Sequence, residues 1–405
     1  MDWDRLAEVK SQEFFIGWLQ ILSRESPALP LKLAGRHRSD SRPLKPQVSL
    51  PELTTYVPSS HLKTDSAWSS RFRTEKSRDE IAVLQFLKQR TRLPVPVVLG
   101  GGRWGLGPYI VTTFLEGTLL SKRLRDPTKE SLSLDSNLSG SHLQKVYHGM
   151  ARILLELAKP TFPAIGGLEL DSGTWKVSKR PLTLNMNELV RVGNLPPSIF
   201  AKNTFQTASE YFQELATQQF LHLHHQRNDA VEDGHDCRKK YIARCLFRRI
   251  AREIQTEAGP FHLYCDDLRP SNVLTCDPDF MITGVIDWEF TYVAPAEFTY
   301  TAPWWLLLES PEAWESDLNA FLARYKPHLK LFLKVLRDCE GQQIRKGSIM
   351  ESQHLSDRMA QSIENGLFGS ALRRGKASCL TTFTGHFLTR SILALCAAWM
   401  IESLF

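Results

Sequence analysis

Residues 261–288, FHLYCDDLRPSNVLTCDPDFMITGVIDW, alternate short apolar runs with polar loops. Residues 261–264 and 281–286 read as strands, and each runs into acidic residues. Between them lie Asp266-Asp267, an Arg-Pro-Ser turn, Asn272 and a Val-Leu-Thr strand that breaks at Asp277-Pro278-Asp279. A polar loop leaving a strand holds side chains rigidly at the mouth of a cleft. Asp267, Asn272 and Asp287 would stand at that mouth, three hard oxygen donors or bases within 21 positions. Such a set suits Mg²⁺ and phosphate chemistry; zinc would call for His or Cys at paired spacing.

Composition frames this reading. The chain has 405 residues, 42% hydrophobic and 23% charged, ordinary values for a globular protein with one large or two modest cores. Its net charge of +6 is spread along the sequence. That fits an anionic small molecule such as a nucleotide. No basic stripe interleaves with aromatics, so a nucleic-acid partner is not expected. The cysteines (237, 245, 265, 276, 339, 379 and 396) form no C-x-x-C pair and read as reduced thiols of a cytoplasmic protein. No basic segment followed by an apolar one marks a secretory leader at the N-terminus. The apolar run 391–405 is shorter than the ~20 residues of a membrane span, so a packed or interfacial helix is expected there.

Asp267 to Asn272 has the D-x-x-x-x-N spacing of a kinase catalytic loop, and Ile286-Asp287-Trp288-Glu289 follows at the interval of the metal-binding aspartate. With strands on both sides, CDDLRPSNVL and GVIDWEF together resemble the aminoglycoside phosphotransferase family of kinase-like enzymes, in its fungal branch. RPLTLNMNELVRVGNLPPS and HQRNDAVEDGHDCRKKYIARCLF carry the resemblance further, over residues 75–314. It implies an α+β, two-lobed, protein-kinase-like fold. A small β-rich lobe would span residues 1–116 and a large, mainly helical lobe residues 117–405. The implied activity is phosphoryl transfer from ATP, with Mg²⁺, to a hydroxyl or amine of a small molecule. Asp267 would be the base, and Asn272 and Asp287 the metal holders.

The small lobe matches the resemblance less well. Residues 3–22 have helical amphipathic spacing, but 25–70 are rich in Pro, Ser and Arg and contain no G-x-G-x-x-G. Trp68-Ser-Ser-Arg71-Phe72 resembles the end of the family's basic strand, which makes Arg71 the implied partner of nucleotide phosphates. A solvated surface arginine is the alternative. Residues 75–91 read as a helix with Ile81, Leu84 and Leu87 inward. Glu80 on it matches the glutamate that holds the basic strand residue, or is a solvent-facing acid in a charged first turn. Residues 108–117 read as a strand into a hinge, where backbone around Thr113 and Leu115 would face adenine.

Several tempting features read as structural. His222, His224 and His225 give no i,i+4 pair for a metal and read as a polar helix end. Trp304 and Trp305 read as packing. Cys265 stands where relatives carry His and reads as a buried thiol. Arg269 is expected to fix its loop by pairing with Asp266. A protein kinase is disfavoured, because D-F-G and A-P-E are both missing. A kinase-fold protein that binds without catalysing stays open beside the enzyme, given the degenerate small lobe.

Overall fold

In the computed structural model, His37 and residues 67–104, 107–191, 195–225, 234–253, 259–276, 279–309, 318–350 and 354–364 are described. The predicted helix at 3–22, most of the irregular region 25–70, and residues 367–405 with their apolar run lie outside them.

The first described element is a helix, α1 (Ala67–Arg90). It begins well before the predicted Glu75 and takes in Trp68–Arg73, so Arg71 lies on a helix and not at a strand end. The reason is local: residues 67–80 contain neither Gly nor Pro, and Thr74 is their single β-branched residue, so nothing stops the helix running back. The Arg71 side chain is outside the described part. Val83, Leu84, Phe86 and Leu87 of α1 are buried. Its polar face is pinned by Arg180 on Glu75, at 2.8 and 2.7 Å, and by Lys179 on Asp79 at 3.2 Å.

Pro94 and Pro96 then keep the chain extended. It enters an antiparallel hairpin, β1 (Val98–Trp104) with β2 (Gly107–Thr112), in the register Val98↔Thr112 to Trp104↔Gly107. After the hinge come β3 (Thr118–Leu119) and a short helix, α2 (Leu120–Leu124). The first long helix of the larger part is α3 (Gly140–Ala158), capped by Ser139 Oγ, which accepts from His142 N. Val146, Met150, Ile153 and Leu157 face inward from α3, as their spacing predicts.

A hairpin, β4 (Gly167–Asp171) with β5 (Thr174–Lys179), is followed by α4 (Leu184–Arg191), α5 (Ala208–His225) and α6 (Gly234–Glu253). His222 is not a polar helix end: it is buried, with Arg244 of α6 at 3.5 Å. The site strands are β6 (His262–Cys265), β7 (Val273–Cys276), β8 (Met281–Val285) and β9 (Thr291–Ala294). The chain continues through α7 (Ala296–Thr299), α8 (Leu318–Arg345) and α9 (Leu355–Glu364).

Long helices and small antiparallel sheets make this the α+β class expected. The main core joins α1, α3, α5, α8 and the site strands. Tyr147 of α3 meets Phe332 of α8 edge-on at 5.6 Å, and Trp305 packs on the same ring at 5.8 Å, which bears out its structural reading. A satellite core of Leu182, Met186, Leu189, Leu195 and Phe200 encloses Phe290.

Gly166 joins the β4–β5 hairpin to β9: its N–H donates to the Val293 carbonyl, and Val293 N–H donates back, at 2.9 and 2.8 Å. A Cβ on Gly166 would collide with the backbone oxygen of Lys179. Gly166→Ala is therefore expected to destabilise the protein by about 1–3 kcal/mol, read as a lower urea midpoint with an unchanged slope.

Candidate active site

Strand register builds the site. Cys265 at the end of β6 pairs with Thr291 at the start of β9. Val273 at the start of β7 pairs with Val285 at the end of β8. The loops 266–272 and 286–290 are thus bracketed at both ends by strands already paired to each other. Two backbone bonds close the gap between them, Ile286 N–H to the Asn272 carbonyl at 2.9 Å and Asp266 N–H to the Phe290 carbonyl at 3.3 Å.

Within this frame Asp267 and Asn272 meet directly. Asn272 Nδ2 donates to the Asp267 carbonyl at 2.8 Å and to Asp267 Oδ2 at 3.1 Å. With that amide nitrogen turned inward, Oδ1 is the side-chain atom Asn272 has to offer a cation. Arg269 pairs with Asp267, its Nε 3.0 Å from Oδ1, and not with Asp266 as the sequence suggested. Asp266 points into the protein, 2% exposed, where it accepts from Leu184 N at 2.8 Å and from the Tyr292 hydroxyl at 3.3 Å. Arg269 stays at the surface and cannot follow it inward.

Burial lifts the Asp267 carboxyl above the usual carboxylate range, opposed by Arg269, Asn272 and Lys76. Asp287 has φ of 60°, an uncommon conformation for a residue with a Cβ. Phe290, at φ 58°, shares it. Such strain persists only where the surroundings over-determine it. Trp288 is the local clamp: its ring is buried, and its Nε1 donates to the Val285 carbonyl at 2.9 Å. Asp287 reaches solvent at the loop surface. Its carboxyl is raised above the usual carboxylate range, first by the protein crowded around it, then by Glu289 and Asp267.

Glu80 belongs to this centre. Burial, then Glu289 and Asp287, push it up to about 8, against the pull of Lys76. Glu80 is half-buried and lies well inside α1, so the reading that put it in a first turn is set aside. Sequence reading passed over two residues here, Lys76 and Glu289. The Lys76 ammonium sits on the Glu289 carboxylate and 4.7 Å above the Phe290 ring. One signal was present: Lys76 and Glu80 are four apart on a helix, hence on one face.

At the hinge, Thr113 N–H donates to the Val97 carbonyl and Thr113 Oγ1 accepts from Val97 N–H, both at 2.9 Å. Leu115 lies against Gly284 in β8, where any Cβ would meet its side chain. Thr283 Oγ1 donates to the Glu116 carbonyl at 2.6 Å. Cys265 is buried, which pushes its thiol up and leaves no thiolate to act as a nucleophile.

A model of the Phosphotransferase enzyme family (APH) matches residues 69–332, from α1 through both loops into α8. The chain belongs to this family. Three solved structures are similar to the chain. A candidate aminoglycoside phosphotransferase from Ralstonia eutropha JMP134 is 13% identical with a TM-score of 0.40, over 80% of this chain and 83% of that one. A GDP complex of a mutant aminoglycoside 2′-phosphotransferase-IIIa gives 14% and 0.33, over 76% and 85%. Macrolide 2′-phosphotransferase type I gives 14% and 0.31, over 80% and 81%. No curated protein matches.

The raised carboxyls set a pH dependence. Folded, Glu80 keeps a proton to about pH 8 that the unfolded chain releases near 4.5. The folded state thus binds more protons in that window, and stability falls as pH rises through it. Without divalent ions, the melting temperature should decrease from pH 5.5 to 8.5, and Glu80→Gln should flatten the slope. Parallel slopes for the two proteins would remove Glu80 from the acidic centre.

Proposed function

We propose that the protein transfers a phosphoryl group from ATP to a hydroxyl, or an amine, of a small molecule. The observation that carries this reading is the convergence of Asp267, Asn272 and Asp287 through two strand registers, inside the span that the family model matches.

Magnesium fits this donor set. Glu80, Asp267, Asp287 and Glu289 are four carboxylates whose charges act on one another, and Lys76 and Arg269 are the cations among them. Fully ionised, the group carries two surplus negative charges; burial first, and these like charges second, raise the Glu80 and Asp287 carboxyls. Among the described residues no trio of His, Cys, Asp or Glu cages a metal. Magnesium needs no cage, because it takes one or two protein oxygens and fills its octahedron with water and phosphate. Asn272 Oδ1 and the Asp287 carboxylate would hold it, and when bound it neutralises charge on the transferring phosphates.

The chain's own residues do the rest. Asp267, held by Asn272 and Arg269, orients the acceptor hydroxyl and takes its proton as the new bond to the γ-phosphorus forms and the bond from that phosphorus to the bridging oxygen breaks, releasing ADP. Its raised pKa suits it to that step, since a stronger base accepts the proton more readily. Thr113 N–H and the Glu116 carbonyl are spent within the protein, so the backbone of Phe114 and Leu115 is what the hinge would present to adenine. No helix among the described residues is long and apolar enough to cross a membrane. Free thiols at the described cysteines favour a cytoplasmic setting.

A second reading, a kinase-fold protein that binds nucleotide without turnover, draws support from α1: the stretch taken for the basic strand is helical. One experiment separates the two. With MgATP and a panel of small alcohols and amines, ADP release should be acceptor-dependent, and Asp267→Asn should lower it about 10²–10⁴-fold with an unchanged melting temperature. ATP binding with no turnover on any acceptor favours the second reading.

A further inference from the structure

Lys76 is 2% exposed, an environment that lysine tolerates only when its charge is matched. The match comes from across the site. Its ammonium contacts Glu289, two residues beyond Asp287, and lies over the ring of Phe290. Its charge also acts on Glu80, Asp267 and Asp287, and Arg269 is the other cation facing these acids. Asp287 and Phe290 both hold positive φ, so the five-residue loop between β8 and β9 needs an external anchor. From outside its own strands the loop is held by the Asp266–Phe290 and Ile286–Asn272 backbone bonds, by the satellite core around Phe290, and by Lys76.

We propose that Lys76 is a positioning residue which, through Glu289, holds the loop bearing Asp287 where that carboxylate and Asn272 can share a divalent cation. The idea rests on the reading of Asp287 and Asn272 as the cation holders. It gives α1 a role beyond packing: the helix delivers a fixed positive charge to the buried side of the loop.

The sign of one measurement distinguishes this role from its competitors. Removing a positive charge from an acidic centre should, by electrostatics alone, tighten binding of a second cation. Loss of positioning should loosen it. The probe is Mn²⁺ without nucleotide, titrated by isothermal calorimetry into the full-length protein. Lys76→Met should weaken Mn²⁺ binding about 10–100-fold, as loss of a ligand-orienting contact does. Glu289→Gln, nearly isosteric and the gentler change for folding, should weaken it in the same sense, and the double variant should be no worse than the poorer single one. Tighter Mn²⁺ binding in Lys76→Met, or a lower melting temperature with unchanged Mn²⁺ affinity in both single variants, would overturn the proposal. Failure of the wild type to bind Mn²⁺ would overturn it before any variant was made, while the phosphotransferase reading stands or falls separately on acceptor-dependent ADP release, where the nucleotide supplies phosphate ligands to the metal.

Discussion

Cys265 is paired with Thr291 in one sheet and Val273 with Val285 in another, so the two acidic loops are tethered at both ends by the same pair of registers. A slip of one residue in either sheet would turn every side chain of that strand to the opposite face and separate Asp267 from Asp287. The packing beneath can be read as protection of those registers. Asp266 spends its buried carboxylate on Leu184 and Tyr292, and Trp288 fills the space under the β8–β9 loop. Buried polar groups satisfied in this way favour a single arrangement over a set of near-equivalent ones.

Charge is arranged around that frame in layers. Arg269 and Asn272 face Asp267 from its own loop, while Lys76 faces Glu289 from α1. The acids outnumber the cations, and this adds to burial in raising the Glu80 and Asp287 carboxyls. A site that is strained in backbone and repulsive in charge is uncomfortable in isolation, and the proposed divalent cation would relieve the repulsion. Strain and perturbed titration at one place are common marks of function.

Much of this was legible in the sequence, and the exceptions have physical causes. The strands β6, β7 and β8 could be read because each is a short apolar run ending in turn residues. The spacing of Asp267, Asn272 and Asp287 signalled their convergence, though not the two registers that bring it about, since register depends on partners far along the chain. Arg71 was assigned to a strand because a local resemblance outweighed helix propensity, and the uninterrupted run from Ala67 wins in the structure. Arg269 was matched to the wrong aspartate because neighbouring carboxylates look alike until one of them turns inward. Lys76 was missed because its partner lies 213 positions away, and a charge in an amphipathic helix reads as solvated until something docks on it.

The contacts that assemble the site have a further cost, in time. Leu184 reaches Asp266 across 82 positions, Thr275 meets Arg123 across 152, and Glu116 meets Thr283 across 167. Few of these bonds are available to a nascent helix or an isolated hairpin. Loop-closure entropy must be met before such distant pairs can form, which slows folding even where it barely alters final stability. The α3 helix and the β1–β2 hairpin can form early from local contacts, whereas the acidic centre must wait until α4, β6 and β9 have found one another.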